Sequence, residues 1–189
     1  MGLQISSGLL IEFKENKPEG YEYYKAELEK VNKLLLENDI EAHQETEDKE
    51  LETLALGGMP FAYLHYLRRF FAYNMVHEDW TPEVFDSAAE PTDDPILEEE
   101  SMMMYSHLLT HSDSAGFYIP QEFDEIIFET DETPVQGGII GSSYRLLKEL
   151  KEIASKLGVI LDKNDQVTNR DAIKDDIFNN RDFWIEKEV

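Results

Sequence analysis

The sequence predicts an α+β fold, dominated by helices and carrying a few short strands, in a single acidic globular domain over 1–189. Three observations point there. Apolar residues recur at helical spacing over 21–38, 61–77 and 144–157. Short apolar runs at 116–120 and 125–128 have the length of strands instead. Hydrophobic residues make up 41% and aromatics 11%, which is enough for a core and too aromatic for an acidic disordered tail.

In chain order, Ile11 and Phe13 alternate around Glu12 and predict a first strand within 3–13. Pro18 and Gly20 predict a turn. The helix over 21–38 aligns Tyr24, Leu28, Val31 and Leu35, with Glu22/Lys25 and Glu29/Lys33 on its outer face. Asn38-Asp39 ends it, and 40–52 reads as a polar, acidic connector. Pro60 suits the first turn of a helix over 61–77. Phe61, Tyr63, Leu64, Leu67, Phe70, Phe71 and Met75 surround that helix and predict it to be the most buried one. Arg68 and Arg69 must then emerge on one side or pair with carboxylates.

Residues 78–100 hold Pro82, Pro91 and Pro95 among many acids and read as an irregular surface loop, pinned by Trp80 and Phe85. A helix over 96–111 follows from Leu97, Ser101, Met104, Leu108 and His111, although MMMYSHLL also fits a buried strand. Residues 137–141 read as a loop or a short buried strand. Ser142 or Ser143 caps the helix over 144–157, and Gly158 stops it. An apolar 159–161 segment, a weak helix over 171–178 and Phe183-Trp184-Ile185 close the chain.

Charge is the outlier, and its position matters more than its sum. The net charge is −24, from 41 acids and 17 bases. Residues 70–144 contain 17 acids and no Lys or Arg, whereas 145–189 balance 10 acids with 9 bases. Such a field repels phosphates and anionic lipids and attracts basic surfaces. The expectation is a basic protein partner, with no direct nucleic acid and no membrane. Dispersal in solution, or an acidic proteome in a salt-adapted cell, produces the same net charge.

No cysteine is present, so disulfides, thiolate nucleophiles and Cys-bound metals are excluded. No secretory signal and no apolar run of membrane-spanning length are seen, and a cytoplasmic location is expected. No complete catalytic or cofactor motif is found. One divalent-metal site can be drawn: His107 and His111 stand at i, i+4, with Asp113 as a third ligand. The alternative makes both histidines helix-end residues. Ser112 and Ser114 lie beside them, but without the strand–turn–helix elbow of a nucleophilic serine they read as part of a turn. Gly137-Gly138-Ile139-Ile140-Gly141 before a helix, with Arg145 and Lys148, resembles an anion cradle but fits a tight turn with a Ser cap better.

The stretch His107 to Phe123, H-x-x-x-H-S-D-x-x-G-x-Y-x-P-x-x-F, together with GSSYRLLKELKEIASKLG, resembles a pattern from small uncharacterised bacterial proteins. That resemblance implies no activity.

The reading is a non-enzymatic acidic binding protein of the inhibitor or immunity type. Nuclease inhibitors and mimics of DNA use broad anionic surfaces of this kind, with aromatic anchors such as Trp80, Phe85 or Tyr105 supplying affinity. Glu78, Asp79, Trp80, Asp86, Asp93, Asp94, Glu98 and Tyr118 are the expected contact residues. The alternative is a small metal-binding protein or metal-dependent enzyme built on His107, His111 and Asp113.

Overall fold

The computed structural model describes residues 2–46, 54–77, 94–111 and 116–173. Among these the chain is α+β and dominated by helices, as the periodicities predict. It forms two compact units: Met1–Phe61 with His111–Arg145, and Ala62–Thr110 with Leu146–Val189.

In the first unit, β1 (Gly2–Ser7) pairs antiparallel with β2 (Leu54–Pro60). β2 lacks the alternation that marks a strand, and the sequence alone does not reveal it. The strand expected around Ile11 and Phe13 is instead a helix, α1 (Leu9–Asn16), entered through Gly8 at φ 72. Leu10 and Ile11 are consecutive and both buried, which suits one stripe of a helix and not one face of a strand.

Helix α2 (Pro18–Glu37) starts three residues earlier than expected, with Pro18 in its first turn. Gly20 is therefore helical and not part of a turn. A Cβ there would lie 2.4 Å from Cδ1 of the Phe13 ring, so the glycine lets α1 pack closely on α2. Phe13 also meets Tyr24, with ring centroids 4.7 Å apart.

The second sheet has β5 (Ile139–Ser142) at its centre, parallel to β3 (Phe117–Ile119) and antiparallel to β4 (Ile127–Phe128). Every residue of β5 is buried, as expected for a strand covered on both faces. Val31, Leu34 and Leu35 of α2 pack against Ile119, Phe123, Ile127, Val135 and Ile140 to form this unit's core. Fully burying one such side chain is worth about 1.5–3 kcal/mol.

In the second unit, α3 (Phe61–Val76) matches its expected span, and Leu64, Phe70, Phe71 and Ala72 are buried. Met75, expected in the core, lies on the same helix face as Phe71 but is exposed in the last turn, where Val76 and His77 are exposed as well. The helix expected over 96–111 is much shorter: α4 runs Pro95–Met102. It therefore occupies the end of the 78–100 segment, of which 78–93 lie outside the described residues. Met104 takes φ 56 and breaks the helix. Ser106 then starts a separate turn, its Oγ accepting the Leu109 N–H at 3.0 Å.

Helix α5 (Ser143–Ala154) is capped by Ser142, whose Oγ accepts the Arg145 N–H at 3.2 Å. Gly158, at φ 77, closes the helix end. Ile153 and Leu157 are buried, but Leu147, expected beside them, is exposed. Residues 170–173 are helical, and the rest of the expected tail helix, with Phe183-Trp184-Ile185, lies outside the described residues. No helix among the described residues is long and apolar enough to cross a membrane.

Candidate anionic binding surface

The carboxylates divide into those the fold consumes and those it leaves outside. Three are consumed. Glu27, on α2, is buried; it accepts the Gln136 N–H at 2.8 Å and pairs with Lys30, tying the β4–β5 loop to the helix. Asp94 caps α4, its Oδ1 accepting the N–H groups of Ile96 and Leu97 at 2.9 and 3.2 Å. Its Oδ2 accepts from Arg69 Nε at 2.7 Å and from the Tyr73 hydroxyl at 2.9 Å. Burial alone pushes the Asp94 carboxyl up; the bonds from Arg69, Tyr73 and the Leu97 amide outweigh it and hold the group below its ordinary value. Glu149, on α5, accepts from Ser106 Oγ at 2.9 Å and from the N–H groups of His107 and Leu108 at 3.1 and 2.7 Å.

Among the described residues, most of the exposed carboxylates belong to the first unit. Between β3 and β5 the buried Phe123, Ile126, Ile127 and Val135 alternate with the exposed Glu122, Asp124, Glu125, Glu129, Asp131 and Glu132. The apolar residues anchor the segment inward, which turns the acids to solvent. Thr130 and Thr133 bridge each other, placing Asp131 and Glu132 at the tip of a tight turn. Asp124 faces Arg145 Nε at 3.2 Å, and Glu129 accepts the Val135 N–H at 2.9 Å. Among the described residues Glu122, Glu125, Asp131 and Glu132 have no ion pair.

Lys33 brings this segment to α2. Its ammonium donates to Thr133 Oγ1 at 2.7 Å and lies 3.7 Å from the Glu37 carboxylate, so its ion pair is with Glu37 and not with Glu29. The exposed Glu29 and Glu37 flank it along the helix, lining an open depression of about 480 Å³ with Asn32 and Leu36. Asn32 holds the following connector by two bonds to the His43 backbone, at 3.0 and 2.8 Å. That connector carries Asp39 and Glu41, both exposed. The last turn of α2 has no base, so Glu37 and Asp39 oppose the negative end of the helix dipole, each at a cost of about 0.3–1 kcal/mol.

Of the expected contact residues, Glu78, Asp79, Trp80, Asp86 and Asp93 lie outside the described residues. Asp94 is buried in the interior network of the second unit. Glu98 is exposed on α4. Tyr118 is half-buried in β3 and stacks on His111, centroids 5.2 Å apart. Asp113 lies outside the described residues. His107 and His111 do not share a helix, because α4 ends at Met102; His107 is fully buried in the Ser106 turn. No group of three His, Asp or Glu side chains able to hold a metal occurs among the described residues. The glycine-rich 137–141 segment is a turn leading into a buried strand, with Gly137 and Gly138 at positive φ and Ser142 as helix cap.

The anionic cluster on the first unit draws on Glu122 to Glu132, within the base-free stretch 70–144. Their alternation with Phe123, Ile126 and Ile127 is the signal that separates outward acids from a diffuse acidic loop. Glu29 and Glu37 were masked by their proximity to Lys33 in sequence.

A family model described as "Putative DNA-mimic protein" matches residues 1–189, and the chain belongs to that family. No curated protein and no solved structure matches it.

Proposed function

From that membership we propose that the chain is a non-enzymatic binding protein whose carboxylates stand in for duplex phosphates in the groove of a basic DNA-binding protein, which it thereby inhibits. The observation that carries this reading is the sorting of carboxylates in the first unit. Glu122, Glu125, Asp131 and Glu132 are turned outward without ion pairs among the described residues, on a sequence segment with no Lys or Arg. Glu37 and Asp39 are kept where the helix dipole disfavours them. Charge that served only to disperse the protein has no need of a fixed scaffold under it.

Glu122, Glu125, Asp131 and Glu132 belong to the stretch 70–144, which holds 17 acids and no Lys or Arg. A surface of this kind accelerates encounter with a basic groove and makes association salt-sensitive.

The test is displacement. Purified basic DNA-binding proteins are bound to labelled duplex DNA, and the chain is titrated in at low and at physiological salt. Release of the duplex is expected at low salt and weaker release at higher salt. The combined Glu122→Gln, Glu125→Gln, Asp131→Asn and Glu132→Gln variant is expected to release less. A folded parent chain that releases no duplex at low salt overturns the reading.

A further inference from the structure

Where α4 ends, four consecutive large apolar side chains stand in solvent. Met102 is 62% exposed, Met103 64%, Met104 49% and Tyr105 42%. The chain on both sides turns inward: Leu97 before them, and Leu108 and Leu109 after them, are buried. The fold has therefore left this run outside while burying its neighbours. Exposed apolar patches of this kind mark interaction sites. Methionine suits a contact that must adapt to its partner, and tyrosine supplies a stiff anchor.

Tyr105 is held in place. Its hydroxyl donates to the Glu100 carboxylate, and partial burial, then Glu100, push the phenol up to about 12, so it remains a neutral donor. Glu98 and Glu99 are exposed on the adjoining helix. The patch is thus apolar at its centre with exposed carboxylates beside it, and the half-buried Arg68 at this helix end is turned to Ser101 Oγ, at 3.3 Å, and to the Leu109 carbonyl.

The anionic edge selects the occupant. A second copy would have to bring two strongly acidic chains together, each with exposed Glu98 and Glu99 beside the patch, against their mutual repulsion. An anionic lipid surface would be repelled in the same way. A basic protein with an apolar pocket satisfies both parts.

We infer that Met102–Tyr105, in the second unit, is a further docking site, one that seats in an apolar pocket of a basic DNA-binding protein and supplies the salt-resistant share of the affinity. The inference rests on the proposed function and adds to it the apolar feature that separates a true partner from a merely cationic polymer.

The experiment compares the parent chain, a Met102→Gln/Met103→Gln variant and the four-carboxylate variant described above. The probes are poly-L-lysine and a panel of purified basic duplex-DNA-binding proteins, each at low and at roughly 0.3 M salt, a concentration at which exposed charges are well screened. Met102→Gln/Met103→Gln is expected to bind poly-L-lysine like the parent. On the best-binding protein of the panel, it is expected to lose about tenfold at the higher salt, an anchor-sized effect. Unchanged affinity of that variant at both salts, alongside weakened binding by the four-carboxylate variant, overturns the docking site and leaves the proposed function standing. Absence of binding by the parent to every protein of the panel overturns both. A concentration-dependent dimer of the parent that the methionine variant abolishes overturns the assignment to a basic partner.

Discussion

Arg69 Nε lies 2.7 Å from Asp94 Oδ2, and both side chains are no more than 5% exposed. The guanidinium also lies over the Tyr73 ring, 4.9 Å from its centroid. This pair joins the middle of α3 to the cap of α4. A buried pair of this kind is expensive to break because the surviving charge has no water to turn to. Arg69→Ala is therefore expected to destabilise the chain by about 3–5 kcal/mol, read from urea denaturation midpoints.

The same carboxylate gives a pH dependence of defined sign. The folded-state value of Asp94 lies below the ordinary 3.8. Its stabilising contribution is therefore complete above that ordinary value and is lost as pH falls through the folded one. Stability measured from pH 6 downward is expected to fall more steeply for the parent than for Asp94→Asn, with the two converging at the acid end. Comparison of the pair removes the background from the many other carboxylates. Parallel curves would remove Asp94 from the account of acid lability.

Glu149 accepts three hydrogen bonds from the Ser106–Leu108 turn, and a neutral side chain cannot replace them at equal strength. Glu149→Ala leaves those donors without it and is expected to cost about 2–4 kcal/mol. The amide protons of His107 and Leu108 are expected to exchange much faster in the variant, which hydrogen exchange resolves residue by residue.

Gly20→Ala sets two effects against each other. Alanine in a helix is favoured over glycine by about 1 kcal/mol. The added Cβ, however, meets the Phe13 ring at 2.4 Å, and overpacking of this degree costs about 1–3 kcal/mol. The expected outcome is a net loss of stability by thermal denaturation. Phe13→Leu in the same chain is expected to recover part of it, since it removes the ring that the Cβ strikes.

The outward carboxylates are expected to behave in the opposite way. Neutralising Glu122, Glu125, Asp131 and Glu132 removes no ion pair seen among the described residues, so each change is expected to alter stability by no more than about 0.5 kcal/mol. A rise in melting temperature is the expected direction, because like charges are being removed. A large fall would place these groups in the fold and not on its working surface.

Much of the fold was legible where the sequence had a clear period. The helix at 61–76 and the strand signals around Tyr118 and Ile127 appear where the pattern puts them. The errors are local and physical. Ile11 and Phe13 looked alternating, but the burial of Leu10 beside Ile11 makes that segment a helix. The 96–111 periodicity continued past Met102, while the positive φ of Met104 ended the helix there. β2 was invisible because its LALGGMP sequence has neither alternation nor β-branched residues. In the candidate site, the base-free stretch was plain from charge alone. Which acids the fold consumes was not, since Asp94 and Glu98 look alike in sequence and differ only in what lies around them.

Glu122, Glu125, Asp131 and Glu132 supply charge, and among the described residues no ion pair holds them to one residue type. Such positions are free to drift between aspartate and glutamate, or to lose an acid while a neighbour acquires one. Glu27, Asp94 and Glu149 lack that freedom, because each meets specific donors at fixed distances. Relatives of this chain are therefore expected to share their interior anions and to disagree about their exterior ones. Lineages could retune their choice of partner on the outside while the scaffold beneath stays unchanged.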